Sequence, residues 1–152
     1  EMDDFSVKPG TPNMFGLIGG KANAIAPEKR MLSSMTPTIV EKDGKLFLVT
    51  GSPGGSTIIT TVFQNIINVI DFEMTLHDAI NAKRAHSQWL PDVILIEENA
   101  ISEEAITTLE QMGHQLKFMP EIGKINAILV RPDGTLEGGP DYLRSDSYAI
   151  GY

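Results

Sequence analysis

The chain has 152 residues, 41% of them hydrophobic, which suits one compact domain with a core, and its 20 acidic against 12 basic residues give a formal net charge of −8. With no cluster of Lys and Arg, that balance argues against a nucleic-acid partner, whose phosphates would meet repulsion rather than a cationic stripe. There is no cysteine, so disulfides, thiol nucleophiles and thiolate metal sites are excluded, and no apolar run approaches the roughly 20 residues needed for a membrane span.

Residues 6–30 are rich in Pro, Gly and Asn with little periodicity and read as a long irregular loop, a kind of segment that in compact domains is usually functional or disordered. Two β-rich runs follow, Thr38 to Glu41 and Leu46 to Thr50, around Asp43-Gly44, the strongest short hairpin signal in the chain. Between Thr57 and Ile70, Ile58, Ile59, Val62, Phe63, Ile66, Ile67 and Ile70 recur at spacings of three and four, which predicts an amphipathic helix. A second helix is expected after Thr75, with Asp78 three residues on completing a capping-box-like pattern. "DVILIEE" then reads as a strand, and "SEEAITTLEQMG" as a helix capped by Ser102 and closed by Gly113. The tail returns to strands, "HQLKFM", "INAILVR" and "TLEGG", the last two joined by a turn at Pro132-Asp133-Gly134. The Asp-Gly returns favour a largely antiparallel sheet with helices layered on it, an α+β fold in a single domain over residues 1–152.

Three motifs carry candidate chemistry. Gly54 and Gly55, in "SPGGS", sit where a strand gives way to a helix, so their N–H groups and the helix dipole suit an anion or a developing oxyanion. The plainer reading is a tight turn with Ser56 capping the helix. Ser33 and Ser34, in "MLSSMTP", offer two hydroxyl donors for a carboxylate, although paired serines before a strand are also ordinary loop residues. Glu1, Asp3 and Asp4, in "EMDDF", are able to clasp an ammonium or to be solvated surface. His77, His86 and His114 lack metal-ligand spacing and read as surface or packed residues, and Trp89 reads as a core anchor. No nucleophile has an adjacent base, so an enzyme built on this chain takes its nucleophile from elsewhere.

Together "EMDDFSVKPGTPNMFGLIGGKANAIAPEKRMLSSMTPTIV", "LVTGSPGGSTIITTV" and "RAHSQWLPD" resemble the small subunit of bacterial γ-glutamyltranspeptidases, which are N-terminal-nucleophile hydrolases. The resemblance runs from Glu1 to Tyr152. It implies an αββα sandwich, here incomplete, and a precursor that cleaves itself so that a new N-terminal threonine attacks the γ-carbonyl of glutathione or another γ-glutamyl compound. The γ-glutamyl group then passes to water or to an amino acid or dipeptide acceptor. By resemblance, Gly54 and Gly55 form the oxyanion hole, Ser33 and Ser34 bind the glutamyl α-carboxylate, and Glu1 and Asp4 hold the α-ammonium. Pro9 to Gly20 resembles the lid over the site, with Phe15 where relatives often carry tyrosine, and Met31 replaces a common proline. The threonine and its strand are expected before Glu1, leaving this chain inactive alone and dependent on the large subunit of the same precursor. No metal or cofactor is expected, and a periplasmic or secreted location is implied.

Two rivals remain. A related acylase acting on glutaryl-cephalosporin or polyglutamate would share the scaffold, although a glutaryl donor lacks the ammonium that the acidic motif would bind. A non-catalytic anion- or amino-acid-binding module would use the serines and glycines without turnover.

Overall fold

The computed structural model describes residues 2–151. In chain order its elements are β1 (Thr38–Lys42), β2 (Lys45–Gly51), α1 (Ile58–Ile70), α2 (Leu76–Asn81), β3 (Ala85–Ser87), β4 (Ile94–Glu97), α3 (Glu103–Gln111), β5 (Leu116–Met119), β6 (Asn126–Val130) and β7 (Leu136–Pro140). None of these helices is long and apolar enough to cross a membrane.

β1 and β2 form the expected hairpin, with Asp43 and Gly44 both at positive φ as a two-residue primed turn requires. β6 and β7 pair antiparallel around the Pro132–Gly134 turn, in which Gly134 donates to Arg131 O, and the two hairpins join as β1-β2-β6-β7. α1 and α2 cover one face of this sheet, closing a core of Leu48, Val69, Leu76, Ala79, Ile80, Ile125 and Ala127. On the opposite face Ile39, Val49 and Ile128 are successive ladder partners across three strands, and Ile39 remains 70% exposed. The helix caps are as the sequence signals them: Thr75 accepts from the Asp78 N–H and Ser102 from the Ala105 N–H.

Three expectations are corrected. The strands do not make one sheet: β3, β4 and β5 form a second one in which β4 and β5 are parallel. The cause is α3, a crossover that returns the chain in the same direction. Ser56 does not cap α1. A 3-10 turn, Gly55–Thr57, precedes the helix, and Thr57 takes the cap position while its hydroxyl bonds Gly54 O. Trp89 is no core anchor, because β3 ends at Ser87 and a turn closed by Leu90 N–H to Gln88 O puts Trp89 at positive φ with 80% exposure. α1 also departs from a single apolar stripe: Ile58, Val62 and Val69 are buried together with Thr61 and Asn65, whereas Ile59 and Phe63 face outward.

The two sheets are tied by four buried charges. Arg84, just before β3, donates to Asp141 Oδ2 at 2.9 Å. Arg144 donates to Asp141 Oδ1 at 3.1 Å and, through Nε and Nη2, to both oxygens of Glu97 at the end of β4. The carboxylates then accept backbone donors on one short segment, Glu97 from Ile122 N–H at 2.7 Å and Asp141 from Ile125 N–H at 3.1 Å. Burial pushes the Glu97 carboxyl up, but the Arg144 guanidinium and the Ile122 and Arg84 N–H bonds outweigh it and hold it below the usual carboxylate value. Burial pulls Arg144 down, but its two carboxylates outweigh this and leave it above the usual value. Arg84 ends below its usual value, through burial and then the neighbouring Arg144 charge, only partly countered by Asp141. Removing one member would strand a buried charge, so the quartet locks β4, the segment after β5 and the end of β7 in one arrangement.

Candidate active site

The site begins at the C-terminal end of β2. Pro53 O accepts the Ser52 hydroxyl at 2.7 Å, and Gly54 O accepts both the hydroxyl and the N–H of Thr57, at 2.9 and 3.2 Å. In a trans peptide the N–H points opposite to the C=O. The Gly54 and Gly55 N–H groups are therefore turned away from these partners, and neither donates to any described residue. Two adjacent, unpaired amide donors at the entry to α1 form a site for negative charge.

The loop over this turn is ordered by its own side chains. Asn13 Oδ1 accepts from the Phe15 and Leu17 N–H groups at 2.9 and 3.0 Å, while Asn13 N–H donates to Leu17 O, so residues 12–18 fold back as a tight tip. The Phe15 ring lies against Gly55, on the space any side chain there would occupy. The tip is also held from β3's side: Gln88 Nε2 donates to Phe15 O at 3.3 Å and to Leu90 O at 2.9 Å. That fixes the amide orientation and leaves Gln88 Oε1 to accept from His86 Nε2 at 2.9 Å. His86 Nδ1 in turn lies 2.7 Å from the Thr60 hydroxyl on the first turn of α1. His86 is thus a packed residue, while His77 and His114 are exposed. A cleft of about 520 Å³ opens beside the tip, lined by Phe15, Gly54, His86, Gln88, Lys117 and Glu121 among others.

The structure brings Phe15 onto the Gly54-Gly55 turn, and it sets the serine pair close by, since Met35 O accepts the Ser52 N–H at 2.9 Å one residue after Ser34. Ser33 Oγ is itself turned to the Met35 N–H, at 3.4 Å. Asp4 is exposed in a 3-10 turn, Met2–Asp4, tethered by Asn23 Nδ2 donating to Asp4 O, and among the described residues no hydrogen bond joins it to the serines or glycines. Glu1 lies outside the described residues. No cluster of His, Asp and Glu among the described residues is arranged to hold a metal ion.

The family model for gamma-glutamyltranspeptidase matches residues 1–151. The chain belongs to the γ-glutamyltranspeptidase family. It is 51% identical over 152 residues to the glutathione hydrolase proenzyme of Escherichia coli (strain K12), covering 100% of this chain but 26% of that relative. It therefore spans about a quarter of the length of that curated relative. Among solved structures it resembles a mutant of Helicobacter pylori γ-glutamyltranspeptidase, at 51% identity and a TM-score of 0.86, over 95% of this chain and 79% of that one. It is likewise similar to γ-glutamyltranspeptidase from Pseudomonas nitroreducens in complex with L-DON, at 44% identity and a TM-score of 0.86, over 100% and 80% of the two chains. The α+β fold inferred from the sequence is the fold these structures share.

Several residues that shape this candidate site escaped sequence reasoning. Ser52, Gln88 and Gly123 have no local signature, because each acts on a partner brought close only by the fold. Gly123 has φ +65° and packs so tightly that a Cβ there would come within 2.6 Å of Thr61 Oγ1 and 2.8 Å of Ser52 Oγ. The one available hint was glycine placed next to lysine between two apolar residues, a pattern shared by countless turns.

Proposed function

We propose that this chain supplies the donor-binding and oxyanion-stabilising part of a γ-glutamyl hydrolase and transferase. The observation that carries the reading is the pair of unpaired N–H groups at Gly54 and Gly55, both carbonyls of the turn being engaged on the other side. Such donors stabilise a tetrahedral oxyanion, and loss of one costs about 3 kcal/mol of barrier. Ser33 and Ser34 bind the α-carboxylate of the glutamyl donor, and Glu1 with Asp4 holds its α-ammonium. The pair's closeness to Ser52 supports the first assignment, and the charges a zwitterion requires support the second. Residues 9–20, within the longer loop 6–30 of a single domain, act as a lid with Phe15 at its tip.

The nucleophile is an N-terminal threonine outside this chain, freed when the precursor is processed, and the acyl group passes to water or to an amino acid or dipeptide amine. The apolar row of Ile39, Val49 and Ile128, in which Ile39 and Ile128 are exposed and Val49 is half-buried, supports burial against further sequence of the same precursor, the large subunit included. A periplasmic or secreted location accords with relatives of this kind. The test is the complete gene product, with chains counted by mass and release of a chromogenic γ-glutamyl anilide followed with and without glycylglycine. Two chains with dipeptide-accelerated turnover support the reading. An uncleaved chain that binds glutamate without turnover would overturn it in favour of a binding module.

A further inference from the structure

We propose that Ser52 is the positioning residue that aims the Gly54 N–H, an inference that rests on that N–H being an oxyanion donor. Ser52 is 1% exposed, so solvent does not compete for its hydroxyl. Its oxygen accepts the Lys124 N–H at 2.8 Å, and its hydrogen goes to Pro53 O at 2.7 Å. Pro53 O has no other donor among the described residues. Because Pro53 C=O and Gly54 N–H belong to the same rigid peptide, pinning the first fixes the direction of the second. The neighbouring peptide is held differently: Gly54 O is bonded by both the N–H and the hydroxyl of Thr57, a redundant arrangement. The Gly54 donor therefore depends on one side chain and the Gly55 donor on two contacts.

Ser52 is also a junction. Its N–H is spent on Met35 O beside the serine pair, and its Oγ is met by the segment that Glu97 and Asp141 hold at Ile122 and Ile125. One side chain thus keys the oxyanion turn to the carboxylate-binding loop on one side and to the buried charge quartet on the other. A glycine turn with its peptide left free to rotate would lose the preorganisation on which such donors depend.

The experiment compares Ser52→Thr with Ser52→Val in the complete processed protein. Both add similar volume against Gly123, and only the first keeps a hydroxyl. The Val variant is expected to lose roughly tenfold to a hundredfold in kcat relative to Thr, less than or at most equal to removal of a whole donor. KM for a γ-glutamyl anilide should match between the two, and the Val protein should melt lower because the Lys124 N–H and Pro53 O lose their partner, while affinity for a tetrahedral boronate analogue of the γ-glutamyl group should fall in step with kcat in the Val protein. If either side chain prevents folding, Ser52→Ala against the unaltered protein makes the same comparison with no added volume. Equal kcat and equal boronate affinity with and without the hydroxyl would overturn the role of Ser52 alone. Absence of turnover in the unaltered, two-chain protein would instead remove the function, and the proposal with it.

Discussion

The ring of Phe15 stands where a side chain on Gly55 would have to go, its Cε1 and Cζ far inside van der Waals contact of any Cβ built there. Gly55 is thus glycine for a reason of contact: the tip of the 12–18 loop packs directly onto the backbone that carries a candidate oxyanion donor. Gly55→Ala should push the tip off, and Phe15→Ala should relieve the clash. Amide exchange at residues 15–17 of the complete protein should speed up in the first variant, and a double-mutant cycle on melting should show coupling of about 1 kcal/mol or more. Equal cost of Gly55→Ala in both backgrounds would show that the ring does not rest there.

Phe15 has no hydroxyl with which to tether its loop, and the tether comes instead from Gln88, which donates to the Phe15 carbonyl. Gln88→Glu keeps an acceptor for His86 Nε2 and loses both donations, to Phe15 O and Leu90 O. Proteolytic nicking within residues 12–18 should rise several-fold as the opening equilibrium shifts by about 1 kcal/mol, the usual worth of a neutral hydrogen bond. Unchanged nicking would mean that the ring contact alone holds the tip.

What was legible in the sequence was local. Asp43-Gly44 announces its hairpin because the turn chemistry lies within two residues, and Thr75 and Ser102 announce helix starts because a cap and its N–H are three residues apart. The apolar period of α1 predicts the helix but not that Thr61 and Asn65 share its buried face while Phe63 does not. Arg84 and Asp141 pair across 57 residues, and Arg144 and Glu97 across 47, separations at which no spacing rule speaks. Trp89 misled for a related reason: aromatic bulk argues for burial, but the backbone turn after β3 decides where the ring points. The closeness of the glycine pair to the loop carrying Phe15 was suggested by resemblance, whereas the bonds that orient them, from Ser52 and Gln88, had no signal in the sequence.

Gly123 fits a space that no other residue fits. Its φ of +65° disfavours a side chain, and a Cβ would press on Thr61 and Ser52 together. Gly123→Ala should cost about 2–4 kcal/mol, from left-handed strain and overpacking combined. Part of the damage should reach turnover, because Ser52 would be displaced. Thermal melting and kcat of the complete protein, measured together, test this. A variant with normal melting and normal kcat would mean that the segment shifts freely and does not support the turn.

The buried quartet sets an acid limit on the fold. Glu97 lies below the usual carboxylate value because Arg144 and two backbone N–H groups stabilise its charge more than burial penalises it. A carboxyl depressed on folding contributes stability that is fully present above its unfolded value, near ~4.3, and is lost as pH falls through the lower folded value. Glu97→Gln removes that contribution and leaves Arg144 with one carboxylate, Asp141, in a site closed to solvent. The expected cost at neutral pH is about 3–5 kcal/mol, as for other broken buried ion pairs. The variant's stability should also fall less steeply than that of the unaltered protein over the same acid window, since it has no proton to take up at that position. Denaturant melts of both proteins from pH 7 downward give both quantities. Parallel pH profiles would show that the Glu97 carboxyl titrates alike in the folded and unfolded states, and a wild-type stability that rises on acidification relative to the variant would show it protonated in the fold; either would defeat the account of the quartet as a charged lock between the two sheets.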